Sequence, residues 1–101
     1  MTPRRGDVWR LDDGRLVLVL SSTFYNEIAS EPTIIVVPTF TGEPAAGFGV
    51  PIGNDAWAAP GFIASLRKTR LADFHDRIDV QSLTDVNNML FKILATPDQQ
   101  P

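Results

Sequence analysis

Leu16 to Leu20, LVLVL, is an unbroken aliphatic run, and Thr33 to Val37, TIIVV, is nearly another. Five residues are too few for a helix, and branched aliphatic side chains suit the extended backbone. Successive side chains of a strand point to opposite faces, so a strand that is apolar at every position needs cover on both. One face must meet the core, and the other a helix or another subunit. Ahead of the first run, Asp12-Asp13-Gly14 carries a tight-turn pattern, and Asp7-Val-Trp-Arg-Leu11 alternates polar and apolar residues as a half-buried strand does. These pieces predict a β-hairpin over residues 7–20.

Residues 21–32 read as a polar loop, and the strand from Thr33 is expected to stop near Pro38. Residues 41–61 are rich in Gly, Pro and Ala. They leave room for one short strand at Phe48–Ile52, with Trp57 as the anchor of the loop. Further strands are expected at Gly61–Leu66 and Arg77–Val80. Ser82-Leu-Thr-Asp85 has the spacing of a helix-capping box. After it Leu83, Val86, Leu90, Ile93 and Leu94 recur at three- and four-residue intervals, with Met89 beside them. That spacing is an amphipathic helix ending near Ala95. The fold class expected is therefore mainly β (α+β), a small bent antiparallel sheet or partial barrel of five or six strands with a C-terminal helix. Residues 1–95 form one domain and 96–101 a flexible C-terminal tail.

Composition narrows the function classes. No apolar run approaches the ~18 residues of a membrane span, and residues 1–7 have no apolar core of the kind a secretory signal carries. The chain has no cysteine and a single histidine, His75, which leaves neither disulfides nor a multi-histidine metal site. These features fit a cytoplasmic protein. The net charge of −3 argues against a general nucleic-acid binder. The distribution is uneven, however. Between Arg15 and Arg67 there is no basic residue, and seven of the nine lie at Arg4, Arg5, Arg10, Arg15, Arg67, Lys68 and Arg70. If the two ends meet in the fold, a basic groove can exist on an acidic protein.

Arg5-Gly-Asp-Val-Trp9, then Gly14-Arg-Leu-Val-Leu-Val-Leu-Ser21, then Tyr25-Asn26 resemble the opening of the MazF/PemK toxin family. That family runs R-G-D-[VI]-[YW], G-R-[RP]-P-V-x-V-[VI]-S and D-x-[FY]-N. Its next strand enters a P-x-T-[TS] motif, and Ile35-Val-Val-Pro38-Thr-Phe-Thr41 holds that place here. The resemblance covers roughly residues 4–95 and is specific over the first forty. It implies an SH3-like bent antiparallel barrel with a C-terminal helix. It also implies a homodimeric toxin of a type II toxin-antitoxin system that cuts single-stranded RNA, needs no metal or other cofactor, and is held inactive by a cognate antitoxin with an acidic, disordered segment.

The attacking group in that chemistry is the RNA's own 2′-hydroxyl, so the protein's task is to steady a pentavalent phosphorane. Arginine suits it, because its fork gives two hydrogen bonds to one phosphate. The family's arginine carries over to Arg15. Its threonine does not carry over directly: two residues after Pro38 stands Phe40, with Thr39 and Thr41 on either side. A shift of one residue sends a strand side chain to the opposite face, and a bulge can restore either threonine. The family's [TS] pair slightly favours Thr41. Aligning the family's Q-x-[RK]-T on Leu66-Arg-Lys-Thr69 replaces its glutamine by Leu66 and puts Ile63 and Ser65 where some members have Arg-x-Asp. The carboxylate that would act as general base is thereby absent.

Arg67, Lys68 and Arg70 are candidate phosphate contacts or a solvated strand end. Ser21 and Asn26 are candidate RNA contacts or loop-forming residues, the latter being the commoner use. Tyr25 and Trp57 can stack on bases or fill the core, whereas Trp9 belongs to the core. His75 is expected in a turn, structural or exposed. Two other readings remain. One is a family member that binds RNA or a partner without cutting. The other is a poison of DNA gyrase like the related CcdB toxins, against which the tail beyond Ala95 counts, since CcdB chains end in Trp-Gly-Ile.

Overall fold

The computed structural model describes residues 1–45 and 47–95. Seven strands, β1 (Asp7–Leu11), β2 (Leu16–Val19), β3 (Thr33–Thr41), β4 (Val50–Gly53), β5 (Ala56–Ala58), β6 (Ala64–Arg67) and β7 (Leu71–Arg77), are joined by a one-turn helix α1 (Thr23–Asn26). The chain continues into helix α2 (Val80–Ala95). The order across the sheet is β4-β5-β3-β2-β1-β7, with β6 also on β3, and all pairings are antiparallel. Asp12–Gly14 is the hairpin turn. Gly14 has φ +91°, where a side chain is strained. Gly14→Ala is expected to cost about 1 kcal/mol, a fall of ~4–8 °C in the melting midpoint.

The sheet bends at β3. One side of this strand pairs with β2, over Val36–Pro38. Its other side pairs first with β6, over Thr33–Val36, and then with β5, over Thr39–Thr41. The expected stop at Pro38 does not occur. The Pro38 carbonyl accepts the Ala59 N–H at 3.0 Å, so the proline nitrogen also faces the side where β6 gives way to β5. The missing donor falls at a gap in the ladder. The barrel is bent but not closed, since among the described residues β4 and β7 do not pair. One side-chain bond, Asn54 Nδ2 to Asp76 Oδ2 at 3.4 Å, spans that opening.

Other expectations are corrected. The last strand is Leu71–Arg77 rather than Arg77–Val80, because β7 pairs along the whole of β1. His75 accordingly lies in a strand and not in a turn. The helix starts at Val80, before the expected box at Ser82–Asp85. Asp79 caps it by accepting the Ser82 N–H at 2.7 Å, and Asp85 accepts from Gln81 instead. Residues 60–62 form a 3-10 turn ahead of β6, and the strand expected at Phe48–Ile52 is Val50–Gly53 followed by a separate β5 that contains Trp57. Trp57 does hold the loop, since a Cβ on Gly49 would lie 3.1 Å from its ring. The expected tail at 96–101 lies outside the described residues.

Both faces of β2 are buried within one chain. Leu18 and Leu20 join Val8, Val37, Val50, Ile52 and Ala58 under Val86 of α2. Val17 and Val19 join Trp9, Leu11, Ile34 and Val36 on the other side, where Leu66 and Leu71 cover them. No second subunit is needed for that strand. The large apolar side chains left exposed are elsewhere, among them Phe62, Phe91 and Leu94. No helix among the described residues is long and apolar enough to cross a membrane.

Arg5-Gly-Asp7 has a structural explanation. Asp7 is 2% exposed. Its Oδ2 accepts the Arg4 N–H at 2.8 Å and the Trp9 indole N–H at 3.3 Å, and its Oδ1 accepts Arg77 Nη1 at 2.6 Å. One buried carboxylate thus ties the N-terminal turn to β1 and to the end of β7.

Candidate active site

Arg15 sits at the mouth of β2, where the β1–β2 hairpin re-enters the sheet. Extending the β2–β3 register from Val17↔Pro38 by two residues sets Phe40 across from Arg15 and Thr39 across from Leu16. Residues opposite one another share a face. Arg15 and Phe40 therefore lie on the face of Val17 and Val36, and Thr39 and Thr41 on the face of Leu18 and Val37. The Thr39 hydroxyl confirms this register by donating to the Leu16 carbonyl at 3.1 Å.

Arg15, Thr39 and Phe40 line one cleft of about 430 Å³, with Leu11, Val36, Pro38, Phe62 and Leu66 among its walls. Thr41 is not part of it. It borders a smaller cavity of about 170 Å³ behind the strand, with His75, Asp76, Asn54 and Asp55, and Thr39 borders both. In that smaller cavity's rim, the Arg10 guanidinium donates to His75 Nδ1 at 3.3 Å. A third cleft, about 480 Å³ and lined by Pro44, Phe48, Ala59, Gly61, Phe62, Lys92 and Ile93, holds none of the candidate residues. We take the Arg15 cleft as the site because Arg15 is, of the candidate cations, the one that lines a concave apolar surface among the described residues.

Arg15 is oriented by the turn that precedes it. Its Nε donates to Asp13 Oδ2 at 2.8 Å and its backbone N–H to Asp13 Oδ1 at 3.0 Å. Arg70 closes over the same turn, its Nη2 donating to Asp13 Oδ2 at 3.1 Å and to Asp12 Oδ1 at 3.0 Å. The backbone bond from Arg15 is the main cause that holds the Asp13 carboxyl below its ordinary value; desolvation opposes it, and the Arg15 side-chain bond and the Arg15 and Arg70 charges add to the lowering. Bonds to Asp12 push Arg70 upward in turn. With Nε occupied, the two Nη groups of Arg15 remain to meet a phosphate. Its side chain is 67% exposed, so the fork reaches solvent.

Depressed carboxyls give stability a definite pH course. Asp13, Glu31 and Asp79 all lie below their ordinary values, chiefly through hydrogen bonds from the Arg15 backbone, the Thr33 side chain and the Ser82 backbone. The folded state therefore binds these protons more weakly than the unfolded chain. The stability they contribute is complete above the ordinary carboxylate range of about pH 4 and is lost as pH falls through the lowered values. Urea melts from neutral pH down to about pH 2 are expected to show this decline, and Asp79→Asn to make it shallower.

The remaining candidates do not converge on Arg15 equally. Arg70 is one carboxylate away. Arg67 pairs with Thr33 at the far end of β6, on the face opposite Leu66, and Lys68 donates to the Ile28 carbonyl at 3.0 Å. The charges of Arg15 and Arg70 are matched by Asp12 and Asp13, so the two ends of the chain meet in a paired network rather than a basic groove. Ser21 and Asn26 lie some 20 Å from Arg15 by strand length. Ser21 donates to Asn26 Oδ1 at 2.6 Å and accepts the Ile35 N–H, while Asn26 donates to the carbonyls of Pro3 and Ser21. They knit the loop around α1. Tyr25 meets Thr33, with 3.4 Å between the hydroxyls. Sequence reasoning read Asp13 only as turn chemistry and did not find Phe62, whose place in the cleft depends on the 3-10 turn.

A comparison with curated proteins gave no match. Among solved structures, an endoribonuclease from a mycobacterial species is similar at TM-score 0.82 and 22% identity, covering 100% of this chain and 97% of that one. An endoribonuclease in complex with its cognate antitoxin, also mycobacterial, gives 0.81 and 22% over 98% and 99%. The MazE-MazF complex from Deinococcus radiodurans gives 0.80 and 22% over 93% and 96%. At such identities the likeness establishes a shared fold. The profile for PemK-like, MazF-like toxins matches residues 4–94, from the first turn to the last turn of α2. With all seven strands and all but the last residue of α2 inside that match, the chain belongs to the family of PemK-like, MazF-like toxins of type II toxin-antitoxin systems.

Proposed function

We propose that this toxin is an endoribonuclease that cuts single-stranded RNA sequence-selectively and without a metal, acting in the cytoplasm as a homodimer. The observation that carries the reading is the free fork of Arg15 at the rim of a concave surface, within a chain of this family. The RNA 2′-hydroxyl attacks the adjacent phosphorus, its proton leaving to solvent. The P–O5′ bond breaks and the leaving oxygen takes up a proton, giving a 2′,3′-cyclic phosphate and a 5′-hydroxyl. Both Nη groups of Arg15 donate to the equatorial oxygens, where charge is greatest at the phosphorane. Thr39 is the hydroxyl nearest that surface, and Thr41 would reach it only through a change in β3. Arg70 supports Arg15 through Asp13, while Arg67 and Lys68 extend the path of the RNA backbone beyond β6. Ser21 and Asn26 shape its far loop.

Similar structures hold an endoribonuclease with its cognate antitoxin and MazE with MazF. Carried to this chain, the partner is an antitoxin whose acidic, disordered segment competes with RNA for Arg15. A second reading, a toxin that binds RNA or a partner without cutting it, is favoured by one observation: Phe40 occupies the position across from Arg15 where a hydroxyl would assist. Incubating the protein and EDTA with a long single-stranded RNA decides. Discrete cuts support the enzyme, and intact RNA at high protein concentration overturns it.

A further inference from the structure

We propose that Phe40 and Phe62 form a stacking seat for one unpaired base of the RNA, beside the phosphate that Arg15 holds. The inference rests on the RNA reading above and deepens it, by assigning the apolar part of the same cleft.

The pattern along β3 makes Phe40 unusual. Val36, on the same face, is 2% exposed, yet Phe40 is 45% exposed. The apolar face continues past the edge of the core and out to solvent. Phe62 is 67% exposed on the turn Pro60–Phe62, and packs edge-to-face on Phe40 with centroids 6.5 Å apart and planes at 72°. Two large rings that touch each other and little of the core leave apolar surface in water, which is unfavourable unless something covers it. The cleft they border, about 430 Å³, falls in the range of small-ligand sites, ~300–1,000 Å³.

Charge and shape select the occupant. Among the described residues, Arg15 is the one charged side chain lining this cleft, and with its Nε held by Asp13 its two Nη groups are left for a ligand. Across an antiparallel pair, opposed side chains start ~5 Å apart. The ligand must therefore join a flat apolar ring to an anion through a short linker, as a base, sugar and phosphate do. The Thr39 hydroxyl is spent on the Leu16 carbonyl. The seat consequently offers ring faces and few polar partners, so it holds a base by stacking and reads its edge weakly. Phe40, where the family motif has threonine, thus serves as a positioning residue for substrate.

The test measures binding apart from cutting. Fluorescence anisotropy of 2′-O-methyl decamers of U, A and C, in which the attacking hydroxyl is blocked, is compared for wild type, Phe40→Leu, Phe62→Leu and Phe40→Tyr. The same decamers with one central abasic residue form the second arm. Because neither ring belongs to the buried core, the leucine variants are expected to fold, as circular dichroism will verify. Losing one stacked base costs affinity about 5- to 100-fold. The expected result is a loss of that size in Phe40→Leu and a smaller one in Phe62→Leu, with Phe40→Tyr near wild type. The abasic decamer should weaken wild type but not further weaken Phe40→Leu. Leucine variants with unchanged affinity, in a protein that cuts RNA, overturn the stacking seat and leave the nuclease standing; the cleft then suits another ligand, such as an acidic peptide. Ring-dependent binding without cutting supports the seat and overturns the nuclease. Wild type that neither binds nor cuts overturns both.

Discussion

Arg15→Ala is expected to slow RNA cleavage by at least about 100-fold in kcat, the usual cost of removing one donor aimed at a developing oxyanion. The melting temperature should barely change, because the side chain is 67% exposed and its partner Asp13 keeps Arg70. Arg15→Lys separates charge from geometry. Lysine restores a cation without the fork, so recovery should be partial and mostly in KM. Asp13→Asn tests the orientation of the fork. It leaves Arg15 chemically intact, so a fall in kcat there would come from loosened Nε. The measurement is single-turnover cleavage of an end-labelled RNA. Full activity in Arg15→Ala would remove this site from the mechanism.

The second large effect is structural. Asp7→Ala is expected to destabilise the fold by about 3 kcal/mol, because it removes a buried carboxylate and leaves the Trp9 indole and Arg4 N–H without their acceptor. The figure is set at the low end for a broken ion pair because Arg77 is 44% exposed and can turn to water. For a domain of this size the melting midpoint should fall by roughly 12–24 °C. Arg77→Ala leaves Asp7 buried with one partner fewer, so the double variant should cost less than the sum of the two. Chemical denaturation of the four proteins measures that coupling. Additive effects would show that Asp7 and Arg77 act separately.

These two residues mark where the sequence was readable. Arg15 was legible because a hairpin turn, an apolar strand and a family motif surround it within a few residues. Asp7 was legible only as a letter of that motif. Its role needs Arg77, seventy residues away, and no local pattern announces such a pair. The same limit explains the misplaced last strand. His75 lies in a segment without clear alternation, and β7 exists because β1 offers it a partner edge along Asp7–Leu11. The helix cap was misread for a different reason. Asp79 and Ser82 both satisfy cap chemistry, and the end of β7 decides which comes first.

Hydrophobic alternation, turn residues and helical periodicity are properties of neighbours in the chain, so the sequence alone determined the hairpin, the strand entering Pro38 and the amphipathic face of α2. That β3 runs on past Pro38, so that Thr39 and Thr41 share a face that Phe40 does not, came from the structure. Which face meets Arg15 depends on the register between β2 and β3, and that is set by packing on both sides of β2. Only the tertiary structure decided that Phe40, not a threonine, stands across from Arg15. Only it brought Phe62 to Phe40 and Arg70 to Asp13. Contacts of that range form when the sheet bends at Pro38 and β6 folds back on β3, a geometry that no stretch of residues encodes by itself.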